Sequence, residues 1–160
     1  MPLSEPRPNV GVVLVNRNKQ VFVGKRFFKK DQPEDQFWQM PQGGIDGEED
    51  PEEAAKRELA EEVGLSPDEV EILAVSKNWY SYEIPPQFRK RHFNSQTQKW
   101  FLAEYLGPDS AINVDQPMPE FCEWKWVDFR KVPRLVIDFK KDIYKKVFKD
   151  FSWFFEEDDR

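Results

Sequence analysis

GGIDGEEDPEEAAKRELAEEVGL, residues 43–65, puts Arg57, Glu58, Glu61 and Glu62 into six consecutive positions, with glycines before and after them. Asp50 suits a helix N-cap and Pro51 the first helical position. Glu53, three residues after the cap, completes a capping box. Gly64 stands where a left-handed stop belongs, so the stretch predicts a helix over roughly 50–63. With a turn of about 100° per residue, Glu61 and Glu62 fall roughly 60° to one side and 40° to the other side of Glu58. Ala55, Leu59 and Val63 share an adjacent face that can enter a core. One helix therefore carries a carboxylate stripe and its own anchor.

On either side of this helix the chain reads as strands. VGVVLVN (10–16) and QVFVGKR (20–26) are β-branched runs joined by Arg17-Asn18-Lys19, the pattern of a hairpin. FWQMPQGG (37–44) enters the glycine turn as a short strand, and strands are also expected over 70–84, 98–106 and 122–129. Trp124 and Trp126 alternate onto one face of the last of these, and Trp38 and Trp100 also read as structural. Polar segments 27–36 and 85–96 are loops. Phe139, Ile143, Val147 and Phe151 repeat at helical spacing and predict an amphipathic helix from Phe139 to about Phe154. The acidic tail, 156–160, is expected to fray. With no repeat and no linker, residues 1–160 form one α/β domain, helices packed on a central sheet.

Composition narrows the chemistry. With 39% hydrophobic residues and 15% aromatics, the chain can build a core despite 34% charged residues. No apolar run approaches the length of a membrane span, and MPLSEPRPNV lacks an apolar leader core. The single cysteine, Cys122, excludes an internal disulfide and fits a reducing cytoplasm. One histidine, His92, excludes a multi-histidine zinc site, which leaves carboxylates as catalytic groups. A net charge of −6 argues against a protein that coats long DNA duplexes. Local basic groups such as Lys25-Arg26, Lys29-Lys30, Arg89-Lys90-Arg91 and Lys140-Lys141 suffice for a nucleotide or an RNA end.

Clustered carboxylates repel one another unless a cation neutralises them. Hard oxygen ligands select Mg²⁺ or Mn²⁺, which commonly bridge to phosphate. Such an ion shields phosphoryl oxygens, and a neighbouring carboxylate can take a proton from attacking water. Arg57 can orient a glutamate through a bidentate pair. Glycines 43 and 44 let the backbone come close to metal or phosphate.

These residues resemble the complete Nudix box, G-x5-E-x7-R-E-U-x-E-E-x-G-U with U aliphatic. Gly43, Glu49, Arg57, Glu58, Leu59, Glu61, Glu62, Gly64 and Leu65 fill every specified position. The resemblance implies an α/β/α sandwich with a mixed sheet and Mg²⁺-dependent hydrolysis of nucleoside diphosphate linkages. It implies catalytic roles for Arg57, Glu58, Glu61 and Glu62, and a metal site at those glutamates beside Gly43. RPNVG (7–11), WQMPQGGI (38–45), NWYSY (78–82), QKWFL (98–102), PEF with EWKWV (119–127) and FKKDIYKKV (139–147) extend it. Together they look like bacterial RNA pyrophosphohydrolases and the related asymmetric diadenosine tetraphosphate hydrolases.

By that wider likeness Glu120 is a distal metal or water ligand. Arg7, Arg26 and Lys140 meet phosphates and the RNA backbone. Tyr82 and Phe139 lie near the bases, and Gln98 offers a polar contact. The leading expectation is conversion of 5′-triphosphate RNA to 5′-monophosphate RNA with release of pyrophosphate, which promotes RNA decay. The alternatives are cleavage of a dinucleoside polyphosphate, diadenosine tetraphosphate, to ATP and AMP, a non-catalytic nucleotide- or RNA-binding domain, and removal of oxidised nucleotides. The chain departs from the subfamily in its long 27–36 loop and in Asn94-Ser95-Gln96-Thr97, which replaces a Gly-Gln-Lys ending. Both loops are expected to border the substrate.

Overall fold

The computed structural model describes residues 6–27, 38–86 and 95–156. The 28–36 and 87–94 portions of the two expected loops lie outside it, with His92, Arg89-Lys90-Arg91 and Lys29-Lys30, as does Phe37 of the expected 37–44 strand. So do the first five residues and the tail beyond Glu156.

Among the described residues eight strands form one mixed sheet: β1 (Arg7–Val15), β2 (Val21–Arg26), β3 (Trp38–Gln39), β4 (Gln42–Gly44), β5 (Val70–Val75), β6 (Tyr80–Glu83), β7 (Ser95–Tyr105) and β8 (Phe121–Val127). Its centre is the parallel pair β1 and β7, in register from Arg7↔Gln96 to Val15↔Glu104. Alternation along these strands sorts their side chains to two faces. Val13, Val15, Val21, Val23, Trp100 and Leu102 enter one core. Val10, Val12, Leu14, Phe22, Phe101 and Ala103 enter the other. Apolar residues on both faces are the mark of a sheet covered on both sides.

Helix α1 (Pro51–Val63) covers one face, setting Ala55, Leu59 and Val63 into the second core as its spacing predicts. The first core is closed by α2 (Val132–Leu135), α3 (Lys141–Asp150) and α4 (Ser152–Glu156). The expected α/β/α layering is therefore present.

Five sequence expectations change. The hairpin is joined only at its turn end, with Val15↔Val21 the single registered pair, and the two strands then part. Along the edge of β1 that β2 leaves, β4 pairs instead, from Asn9↔Gly44 to Gly11↔Gln42. The 37–44 strand is two, divided at Met40-Pro41, where proline offers no ladder donor. The 70–84 strand also divides at 76–79, and Ser95-Gln96-Thr97, read as loop, opens β7. At the C-terminus the single helix is broken. Phe139 lies in a 3₁₀ turn before α3, and Phe151 separates α3 from α4.

Candidate active site

The local chemistry of 43–65 folds as its residues dictate. Asp50 accepts from the Glu52 N–H, and the capping box is closed through Glu53. Gly64 turns left-handed at φ 80°, its N–H reaching Leu59 and Ala60. This fixes the rotation of α1 and hence the direction of its carboxylates.

Glu58 and Glu62 point inward and are only 8% and 7% exposed. A Cβ on Gly43 would stand 2.1–2.3 Å from the Glu58 carboxyl atoms, so β4 passes directly against that group. Only glycine permits so close an approach. Glu58 and the Gln42 backbone lie beside the Glu62 carboxyl. Burial, then the Glu58 contact and the charge of Glu120, push its proton affinity well above that of an ordinary glutamate. Its Oε1 is buried and has no hydrogen-bond partner among the described residues.

Arg57 binds the box together. Its Nε and Nη2 donate to both oxygens of Glu49, at 2.8 and 3.0 Å, and Nη2 also donates to the Gly44 carbonyl at 2.7 Å. Nη1 donates to Glu58 at 2.9 Å and Glu61 at 3.1 Å. The bidentate partner is thus Glu49, whose pKa is lowered chiefly by this bond. The guanidinium joins the 44–49 turn to α1 and presses on Glu58 from the side.

Glu61 and Glu120 stand apart from the inner pair. Glu61 is turned to Arg57, with its side chain 56% exposed. Glu120 lies 3.8 Å from Arg26, at the bulge where β2 slips against β8. Among the described residues, no three acidic, histidine or cysteine side chains form a ready-made metal-ligand set. The expected set of Glu58, Glu61, Glu62 and Glu120 is therefore not gathered as such. Each outer carboxylate is drawn to an arginine, the lower-energy partner for like charges that would otherwise crowd together. The inner pair nonetheless fits a divalent cation: two buried carboxyls, an unpartnered oxygen and a glycine that yields space. Acid oxygens of this kind suit Mg²⁺ or Mn²⁺.

The remaining expected contacts divide. Arg7 lies over Gly44, where an added Cβ would be 2.7 Å from Nη2. The Tyr82 and Phe139 rings meet, their centroids 5.7 Å apart. Burial pushes the Tyr82 hydroxyl up to about 12, while Gln42 and Arg26 oppose the rise. Lys140 is 8% exposed and donates from Nζ to Gln39 Oε1 at 3.1 Å, an interior engagement its sequence position does not suggest. Gln98, expected as a polar contact, is turned inward. It is 1% exposed, donating to Asn9 at 2.8 Å and accepting from the Trp100 indole at 3.1 Å. Both ends of its amide are engaged inside the protein.

Two further residues beside the site, Gln42 and Tyr144, lie in the stretches WQMPQGGI and FKKDIYKKV but are not singled out there. Gln42 touches Glu62 through its backbone and Tyr82 through its side chain. Tyr144 of α3 accepts from the Met40 N–H at 2.9 Å. Both depend on long-range pairing that spacing alone does not reveal.

The fold and the box agree with what this chain resembles. The NUDIX domain model matches residues 5–151. The chain belongs to that family. It is 41% identical over 152 residues to an RNA pyrophosphohydrolase of Zymomonas mobilis, covering 92% of this chain and 96% of that protein. An RNA pyrophosphohydrolase of Wolbachia pipientis is 43% identical, with 92% and 90% covered. Among solved structures, a C. elegans Ap4A hydrolase binary complex superposes with TM-score 0.65 and 17% identity, over 91% of this chain and 98% of that one. At that identity the likeness speaks for the fold. Hydrolysis by a Nudix enzyme is the chemistry of this family and of these relatives.

Proposed function

We propose that this chain is an RNA 5′-pyrophosphohydrolase that converts 5′-triphosphate RNA to the 5′-monophosphate and releases pyrophosphate. The observation that carries this reading is 41% identity over 92% of the chain to a relative of that name. The same reading places the protein in the cytoplasm, as a participant in RNA decay.

Glu58 and Glu62 would hold a divalent cation, with Glu61 and Glu120 released from their arginines to join them. When bound, Mg²⁺ would supply charge neutralisation for the phosphoryl oxygens under attack. One of the glutamates takes the proton of the attacking water. Arg57 keeps Glu58 in place through its bonds to Glu49 and Gly44. Arg7 and Arg26 face the phosphate chain. Tyr82 and Phe139 offer a surface for a base, worth about 1–3 kcal/mol if stacked.

The test compares kcat/KM for a 5′-triphosphate RNA and for diadenosine tetraphosphate, each with Mg²⁺. RNA is expected to be preferred. A dinucleotide preference of about 100-fold, near 2.7 kcal/mol of transition-state stabilisation, overturns the assignment. Tight nucleotide binding without turnover of either substrate would indicate a binding domain instead.

A further inference from the structure

Arg26 ends β2 where that strand slips in register against β8. Lys25 stands opposite Glu123 and Arg26 opposite Phe121, so Cys122 is the extra residue of a bulge. Its thiol donates to the Arg26 carbonyl at 3.8 Å. Bulges re-aim side chains, and this one is pinned by packing. Phe121 is 1% exposed, and its ring lies over Gly24, where an added Cβ would come within 2.4 Å. Glu120 immediately precedes the anchored ring, and its carboxylate lies 3.8 Å from Arg26 Nε.

Among the described residues neither side chain has another ion-pair partner. The two groups face different parts of the site. Glu120 stands within electrostatic reach of Glu62, and Arg26 within reach of the Tyr82 and Tyr144 hydroxyls. The Glu120 side chain is 45% exposed and that of Arg26 18%. A pair so open to solvent is weak, so it places both groups yet gives way to a stronger partner. At equal distance a divalent cation attracts a carboxylate about twice as strongly as a guanidinium does, and a triphosphate offers Arg26 more than one negative charge.

We propose that Arg26 and Glu120 form a latch between the two halves of the site. They are paired while it is empty and part when it fills, Glu120 turning to the cation and Arg26 to the 5′ phosphates. Whichever ligand arrives first frees the residue that the second requires, so cation and triphosphate promote each other's binding, and the coupling is reciprocal. The inference rests on the reading of Glu58, Glu62 and Glu120 as a metal site and of Arg26 as a phosphate contact.

Pairing lowers the apparent affinity for each ligand by the fraction of molecules in which its residue is free. Mn²⁺ alone is the first probe, with free ion followed by electron paramagnetic resonance. Inorganic tripolyphosphate in chelator is the second, followed by titration calorimetry. Arg26→Gln releases Glu120 and should tighten Mn²⁺ binding about 1.5–5-fold, the range for a partly exposed pair. Loss of a nearby positive charge would act in the same direction without any latch, so the double variant separates the two causes. In a Glu120→Gln background, Arg26→Gln should leave Mn²⁺ binding nearly unchanged. Conversely, Glu120→Gln should tighten tripolyphosphate binding by a similar factor but bring no gain in an Arg26→Gln background.

Mn²⁺ affinity that is unchanged or weaker in Arg26→Gln overturns the inference. So does a gain that persists in full without Glu120, which marks a general effect of charge. Should Arg26→Gln fail to fold, Glu120→Gln decides alone: tighter tripolyphosphate binding supports the latch, and unchanged or weaker binding overturns it. Failure of the parent to bind Mn²⁺ would instead remove the metal-site reading, and failure to bind tripolyphosphate the reading of Arg26, and the latch falls with either.

Discussion

At Glu62 a carboxyl is held where its charged form is disfavoured, by burial and by the neighbouring Glu58. The unfolded chain's glutamate titrates near 4.5, whereas the folded chain keeps its proton to higher pH. The metal-free fold therefore binds more protons than the unfolded chain across that interval. Its stability falls as pH rises from about 4.5 towards the raised value, and the loss is complete above it. Glu62→Gln removes this dependence. In chelator, its Tm should decline less steeply with rising pH than that of the parent, and parallel curves would refute the buried-acid description. With Mg²⁺ and RNA the same substitution should lower turnover by orders of magnitude, and near-normal turnover would sink the metal assignment. The carboxylate stripe was legible because helical spacing sets direction. The outward turn of Glu61 was not, since it depends on Arg57 also reaching the 44–49 turn. Gln98 was expected at the substrate from resemblance alone, and spacing does not show that Asn9 and Trp100 engage its amide within the core.

Helix α1 is an element whose limits could be read before its surroundings were known. Its start and stop are local: a cap, a proline at the first position, a reciprocal glutamate and a left-handed glycine. Asp50→Ala removes the acceptor for the Glu52 N–H and one half of the capping box. The expected cost is about 1 kcal/mol, or a fall in Tm of roughly 2–4 °C for a chain of this size. Thermal melting checks it. Activity at a temperature well below the transition should change little, because the cap lies at the far end of the helix from Glu62. Loss of activity without loss of stability would show that the cap has a role in the site. The strands were less legible. Apolar alternation identifies β1 and β2, but their separation beyond Val15↔Val21 depends on β4 taking the vacated edge. The break at Phe151 likewise has no local signal, since its spacing continues the helical series of Phe139, Ile143 and Val147.

Across the whole molecule, the site lies where the two cores meet through the sheet. Helix α1 supplies the glutamates from one face, while α3 supports the 38–44 segment from the other. The link is Tyr144, which is 1% exposed and accepts the Met40 N–H at 2.9 Å, just before the residues that line Glu58 and Glu62. Burial raises its pKa, and the charges of Arg26 and Glu62 reach its hydroxyl, so the contact lies close behind the site. Tyr144→Phe keeps the ring and its edge-on contact with Trp100, whose centroid is 5.5 Å away. It leaves the buried Met40 N–H without an acceptor, at a cost of about 1–3 kcal/mol. The corresponding fall in Tm is roughly 2–12 °C. Because Met40 leads into Gln42 and Gly43, the variant should also bind Mn²⁺ more weakly, although residue 144 is not one of the expected ligands. Calorimetry with a parallel Mn²⁺ titration measures both effects. A lower Tm with unchanged metal affinity would show that α3 supports the fold without setting the position of β4, and the proposed link from the C-terminal helices to the glutamates would fail.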